Sequence, residues 1–188
     1  PRNINNIYFD TLGMNHYYDN LEGAPERLKV RIRWYGELMG NINQSTLEYK
    51  IKKGLLGKKK SYSLNPFVMD TSFDKLQIEK ALHVDKVPMY VRDEVLSLKP
   101  SLLNSYKRKY FLSADKKFRI TIDYKLSYYE INYGSSHFIN KSFDYQTTVL
   151  ELKYDAAHEP EAKMVSDKFP FSITKSSKYL QGLERIVL

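Results

Sequence analysis

At 188 residues, 42% of them apolar and 14% aromatic, the chain is long enough for one well-buried core and short for two, and it reads as a single domain over 1–188. No window nears the ~18 continuous apolar residues of a membrane span, which predicts a soluble protein, and the lack of cysteine excludes disulfides, thiolate catalysis and Cys-ligated zinc, in keeping with a reducing compartment. Thirty Lys and Arg against 22 Asp and Glu leave +8, a field that favours polyanions: nucleic acid, anionic lipid or phosphate compounds.

Along the chain, alternation at period two dominates and predicts at least six strands. In order they are NNIYFDT (5–11), LKVRIRWYG (28–36), TLEYKIKKG (46–54), SYKRKYFLS (105–113), KFRITIDYKLSYYEI (117–131) and TTVLELKYD (147–155). Helical spacing is expected in TSFDKLQIEKAL (71–82), capped by Thr71 or Ser72 and burying Leu76, Ala81 and Leu82, and again around VRDEVLSLK (91–99). A third helix in SITKSSKYLQGLERI (172–186) is short of an apolar face. LSADKK (112–117) reads as a hairpin turn, and GLLGKKKS (54–61) lacks the GxxxxGK[ST] spacing of a nucleotide loop.

The strands carry rows of charge. Lys29, Arg31 and Arg33 alternate with Val30, Ile32 and Trp34; Glu48, Lys50 and Lys52 form a second row; Lys117, Arg119, Thr121, Asp123 and Lys125 a third; Glu151 and Lys153 a fourth. An antiparallel sheet with one wet face explains any single row. Four rows together suggest a barrel of roughly eight strands with its charged rows inward, where an anion would relieve the crowded cations. Glu48, Asp123 and Glu151 would then offset the excess charge or hold a divalent cation through oxygen ligands. The histidines His16, His83, His137 and His158 lie too far apart to suggest a metal site.

Taken in order, NNIYFDT, YYDNLEGAPERLKVRIRWYG, TLEYKIKKG, GKKKS, KRKYFLSADKKFRITID, VLELKY and ITKSSKYLQGLERI resemble the VTC domain, the polyphosphate polymerase branch of the CYTH or triphosphate-tunnel superfamily, from about Ile7 to Ile186. The resemblance implies an α+β, mainly antiparallel fold: a closed tunnel-like β-barrel with a few short flanking helices, binding triphosphate, ATP phosphates or polyphosphate with Mn²⁺ or Mg²⁺. It implies that Arg31 and Arg33 clamp phosphate and that Lys50, Lys60, Arg108 and Arg119 line the tunnel. It also implies that Glu151 binds metal and that Lys175, Ser177 and Lys178 close on phosphate at one mouth. Lys29, Lys52 and Lys153, on the same polar rows, extend the phosphate track, and Glu48 and Asp123 are the helper carboxylates for the metal. The superfamily opens with a strand reading ExExK-like; nothing before Ile7 supplies it, so the expected barrel lacks that strand in this chain.

The function implied is transfer of the γ-phosphate of ATP onto a growing polyphosphate chain. The nucleophile is an already ionised phosphate oxygen, so no general base is required, and positioning and charge neutralisation carry the catalysis. Arginine forks bind two phosphate oxygens at once, while lysines act as point charges. Two other readings use the same residues: a triphosphate or polyphosphate hydrolase, and a non-catalytic polyphosphate-binding module. Nucleic acid is disfavoured, because Tyr8, Phe9, Trp34 and Tyr49 are expected off the Arg31 and Lys50 rows, where stacking aromatics would have to stand. The expected location is cytoplasmic, with room for a partner that tethers the chain to a membrane.

Overall fold

The computed structural model describes residues 1–54, 56–133 and 140–186; His137 lies outside them. In chain order the elements are β1 (Arg2–Asp10), α1 (Asn15–Glu22), β2 (Glu26–Tyr35), β3 (Gly40–Ile42), β4 (Ser45–Lys53), β5 (Leu56–Ser63), β6 (Phe67–Met69), α2 (Lys75–Leu82) and α3 (Met89–Ser97). They continue with β7 (Lys99–Leu112), β8 (Arg119–Tyr129), β9 (Lys141–Asp144), β10 (Val149–Lys153), a 3₁₀ turn at Ala156–His158, α4 (Glu159–Ser166) and α5 (Lys178–Ile186). The six expected strands correspond to β1, β2, β4, β7, β8 and β10. The short β3, β6 and β9, with α1 and α4, carry too little periodicity to be read in advance. Among the described residues no helix is long and apolar enough to cross a membrane.

One antiparallel sheet organises the chain in the order β10-β8-β7-β1-β2-β4-β5, with β9 also paired to β8; β3 and β6 form a separate ribbon. No sheet closes into the expected barrel among the described residues: β5 and β10 are the two ends of an open path, and neither pairs with the other. The sheet is nonetheless strongly curled. Five strand spacings of about 4.8 Å would hold Lys50 of β4 and Glu151 of β10 about 24 Å apart in a flat sheet, yet Glu151 and Lys153 both act electrostatically on Lys50. The charged rows therefore face one another across an open trough.

The two faces of the sheet are covered differently. Ile7, Phe9, Val30, Ile32, Trp34 and Leu47 pack against Ile78, Ala81, Leu82, Val91 and Val95 of α2 and α3. Each such fully buried side chain contributes about 1.5–3 kcal/mol. Helix α2 is capped by Asp74, whose side chain accepts from Gln77 N at 2.9 Å, rather than by Thr71 or Ser72, and it buries Ile78 while Leu76 stays exposed. The β7–β8 hairpin turns as expected, closed by Ser113 N donating to Phe118 O at 2.9 Å.

Helix α5 lies on the trough face and has the apolar stripe its sequence concealed: Tyr179 and Leu183 are buried with Ile4, Tyr8, Leu102, Tyr106, Leu126 and Tyr128. Asp10, fully buried, ties this corner together. Its carboxylate accepts from Thr11 N (2.7 Å), His16 N (2.9 Å) and Tyr17 N (2.9 Å), capping α1 in place of Met14, whose side chain makes no cap, and it also accepts from the Tyr179 hydroxyl. Gly182 permits the close approach of α5, since a Cβ there would fall 2.5 Å from Leu102 Cδ2 and 2.6 Å from Tyr128 Cδ1. Gly182→Ala should therefore destabilise by about 1–3 kcal/mol, the range for overpacking; chemical denaturation measures it, and an unchanged midpoint would mean that α5 is not seated this tightly.

Candidate functional site

Strand register puts the charged rows side by side. Tyr8, Arg31, Glu48 and Ser61 stand in one line across β1, β2, β4 and β5; Lys29, Lys50 and Lys59 in the next; Asn6, Arg33 and Thr46 in the one before. On the other wing Arg108 is level with Asp123, and Thr121 with Glu151. Side chains at period two share a face, so these belong to the trough.

At its centre is Glu48, 4% exposed. It accepts from Arg31 Nε (2.8 Å) and Nη2 (2.6 Å), and Arg33 Nη1 (3.6 Å) and Lys59 Nζ (2.5 Å) stand around it. Burial alone would raise its pKa, but Arg31 and Arg33 outweigh burial and hold it down at about 2. A second buried carboxylate repeats the device: Asp123 accepts from Arg108 Nε (2.5 Å) and Nη2 (2.7 Å) and pairs with Lys178 Nζ at 2.6 Å. Burial opposes its ionisation, and Arg108 and Lys178 still hold its pKa below the ordinary value.

Neutral groups that sequence reading left out complete the clamp. Tyr8 is a correction: its hydroxyl accepts from Arg31 Nη1 at 3.3 Å, so it stands on the Arg31 row, whereas Phe9, Trp34 and Tyr49 belong to the core face. Burial would raise the Tyr8 pKa, but Arg31 and Arg33 together with Lys178 lower it. Arg33 donates to Asn6 Oδ1 at 2.9 Å and to the Tyr106 hydroxyl at 3.4 Å, and Asn6 in turn donates to Asn104 Oδ1 at 2.8 Å. Among the described residues the buried Asn104 Nδ2 and Thr121 Oγ1 have no hydrogen-bond partner, leaving polar capacity inside the trough. Tyr106 also lies under Lys178, with Nζ 4.9 Å from the ring centroid. Period two alone places Asn6 and Tyr8 on one face; what it could not supply was which row of β2 that face continues into.

The remaining expected residues divide clearly. Lys29 donates to Ser177 Oγ at 2.9 Å, drawing the start of α5 onto the trough. Lys50 remains exposed, yet the surrounding protein crowds it and nearby Arg31 adds repulsion, pushing its pKa down to about 8. Lys52 continues the Lys50 row to the rim, and Arg119 and Lys175 are exposed. Lys60 does not join them: it is opposite Tyr49 on the core face, and Lys59, one residue earlier, occupies the trough. Among the carboxylates expected to hold metal, Glu48 and Asp123 are committed to arginines and lysines, and Glu151 is exposed beside Lys153 Nζ at 3.4 Å. Among the described residues no group of three His, Asp or Glu side chains is placed to hold a metal ion.

Glu48→Gln should cost about 3–5 kcal/mol, because the buried Arg31 would lose its counter-charge. The acid limb has a definite sign: with a folded pKa of about 2 against an ordinary 4.5, the contribution of Glu48 is complete above about pH 4.5 and is lost as pH falls towards 2. Denaturation midpoints of the wild type and Glu48→Gln should converge over that interval; a constant gap down to pH 2 would refute the assignment.

The family model of the VTC domain matches residues 1–187, essentially the whole chain. No match is found among the curated proteins. The ordered rows of cations around Glu48 and Asp123 and the match along the full sequence agree, and the chain belongs to the VTC domain family.

Proposed function

We propose that the trough binds a linear polyphosphate and the triphosphate of ATP and transfers the γ-phosphate from one to the other. The observation that carries this reading is the charge arrangement: two buried carboxylates gather Arg31, Arg33, Lys59, Arg108 and Lys178 on one face, and Lys29, Lys50, Lys52 and Arg119 add cations that form no ion pair among the described residues. Such an excess of cations on one face is electrostatically costly, and a polyanion relieves it.

In the transfer, an ionised oxygen of the chain's terminal phosphate attacks the γ-phosphorus; the bond to the β,γ-bridging oxygen breaks, and ADP leaves with that electron pair. The residues of the chain position and neutralise. Arg31 spends two N–H groups on Glu48 and one on Tyr8, which leaves two of its five donors for phosphate oxygens. Arg33 is held by Asn6 and Tyr106, so its guanidinium is oriented before ligand arrives. No His or Cys is required, because the nucleophile carries its own charge. Of the expected metal ligands Glu151 alone has the chemistry of a single oxygen donor free of an arginine, which suits Mg²⁺ or Mn²⁺ held mostly by phosphates. Such an ion would neutralise charge on the phosphate oxygens.

Incubation of the protein with ATP and Mn²⁺ or Mg²⁺ tests the reaction. Polyphosphate chains with ADP support the polymerase; orthophosphate as the sole phosphate product would replace it with a hydrolase. Binding has its own test. At a hundredfold excess over Kd, tripolyphosphate should stabilise by about 2.7 kcal/mol, a Tm increase of about 5–10 °C at roughly 2–4 °C per kcal/mol for a chain of this size. An unmoved Tm at millimolar tripolyphosphate would remove the basis of the proposal. Anion affinity should also fall as pH rises through about 8, where Lys50 loses its proton, and Lys50→Met should flatten that fall; a titration at pH 7 and pH 9 reads both.

A further inference from the structure

The trough changes character at the tip of the β7–β8 hairpin. Past Arg108 the same face continues through Tyr110 and Leu112, which are 45% and 59% exposed. Tyr154, just beyond β10, adds a ring that is 39% exposed. With Arg119, Lys153 and Asp155 these side chains line a cavity of about 770 Å³, inside the range that receives small-molecule ligands. The cavity adjoins the phosphate clamp directly: the Arg108 guanidinium carbon lies 5.9 Å from the Tyr110 ring centroid.

The contrast with the other cavity on this side of the sheet is chemical. That cavity, about 340 Å³, is lined by Arg27, Lys29, Lys50, Lys52, Lys58 and Lys59 and by no aromatic side chain among the described residues. A row of cations suits a bare phosphate chain, which has nothing to stack. The hairpin cavity combines the cations Lys116, Lys117, Arg119 and Lys153 with exposed aromatic and aliphatic faces and one carboxylate, Asp155. The cations would hold the phosphates of any polyanion, but a bare polyphosphate has nothing to place against the aromatic and aliphatic faces or to donate to Asp155. A nucleoside gains from all of them: its base stacks on an aromatic ring, and its ribose hydroxyls and exocyclic amine donate to a carboxylate.

We propose that Tyr110, Leu112, Tyr154 and Asp155 bind the nucleoside of a nucleotide donor whose phosphates run back to Arg108 and Arg119. The inference rests on the phosphate-transfer reading above and extends it: the aromatic cavity selects a nucleotide over inorganic triphosphate, and the lysine-rich one receives the chain.

Calorimetric titration with two probes, ATP and inorganic tripolyphosphate, tests this on the wild type and on the double variant Tyr110→Ala/Tyr154→Ala. The double variant should lose about tenfold or more in ATP affinity, in line with the removal of a base-stacking ring, and keep tripolyphosphate affinity within about twofold. ATP affinity unchanged, or both ligands weakened equally, overturns the nucleoside site. Failure of the wild type to bind either ligand overturns the phosphate-transfer reading instead, so the two failures are distinct. If the double variant does not fold, Leu112→Ala, which removes an apolar face at a 59% exposed position and adds no charge, should weaken ATP more than tripolyphosphate; equal effects on both ligands there overturn the proposal as well.

Discussion

Cations can be crowded onto one face of a sheet only if counter-charge is buried among them, and in this protein two carboxylates, Glu48 and Asp123, provide it. Glu48 holds Arg31, Arg33 and Lys59; Asp123 holds Arg108 and Lys178. Each was expected either to offset the excess of cations or to help hold a metal; each pairs with arginine and lysine as an internal counter-ion that keeps those cations in place in the folded state. The arrangement under-compensates by design of the sequence: the carboxylates are enough to stabilise the fold and too few to neutralise the trough. Under the proposed function, a bound polyanion completes the balance.

Helix α5 connects this electrostatics to the apolar packing. Its apolar side, Tyr179 and Leu183, is buried against β7 and β8, with Gly182 allowing close approach to Leu102. At its start, Ser177 accepts from Lys29 and Lys178 pairs with Asp123. The same helix therefore bridges the β2 wing and the β8 wing of an open sheet, doing with side chains what hydrogen bonding between β5 and β10 does not do. Asp10, which caps α1 and receives the Tyr179 hydroxyl, fixes where that bridge begins.

Lys59 and Lys60 illustrate how narrow the margin of a strand reading is. One residue of register moves a side chain from the trough to the core face, and three consecutive lysines give periodicity no purchase; pairing of Lys59 with Lys50 and of Lys60 with Tyr49 decides the matter. Tyr8 failed for the related reason that pairing across β1 and β2, not alternation within β1, sets which neighbour it meets.

The sequence by itself determined the long strands and the sidedness of their charge, because alternation at period two is a local property that survives without knowledge of neighbours; the family came from the resemblance of its ordered blocks, NNIYFDT to ITKSSKYLQGLERI. Arg31, Arg33, Lys50 and Glu151 could be placed on polar rows from that alone, and Arg108 only through the family resemblance. Only the tertiary structure decided that the sheet curls without closing, that Glu48 and Asp123 serve arginines and lysines, and that Tyr8, Asn6, Asn104 and Tyr106 complete the clamp. Those outcomes depend on contacts between residues up to about a hundred positions apart, such as Asn6 with Asn104, and no local pattern encodes which distant strand a side chain will face.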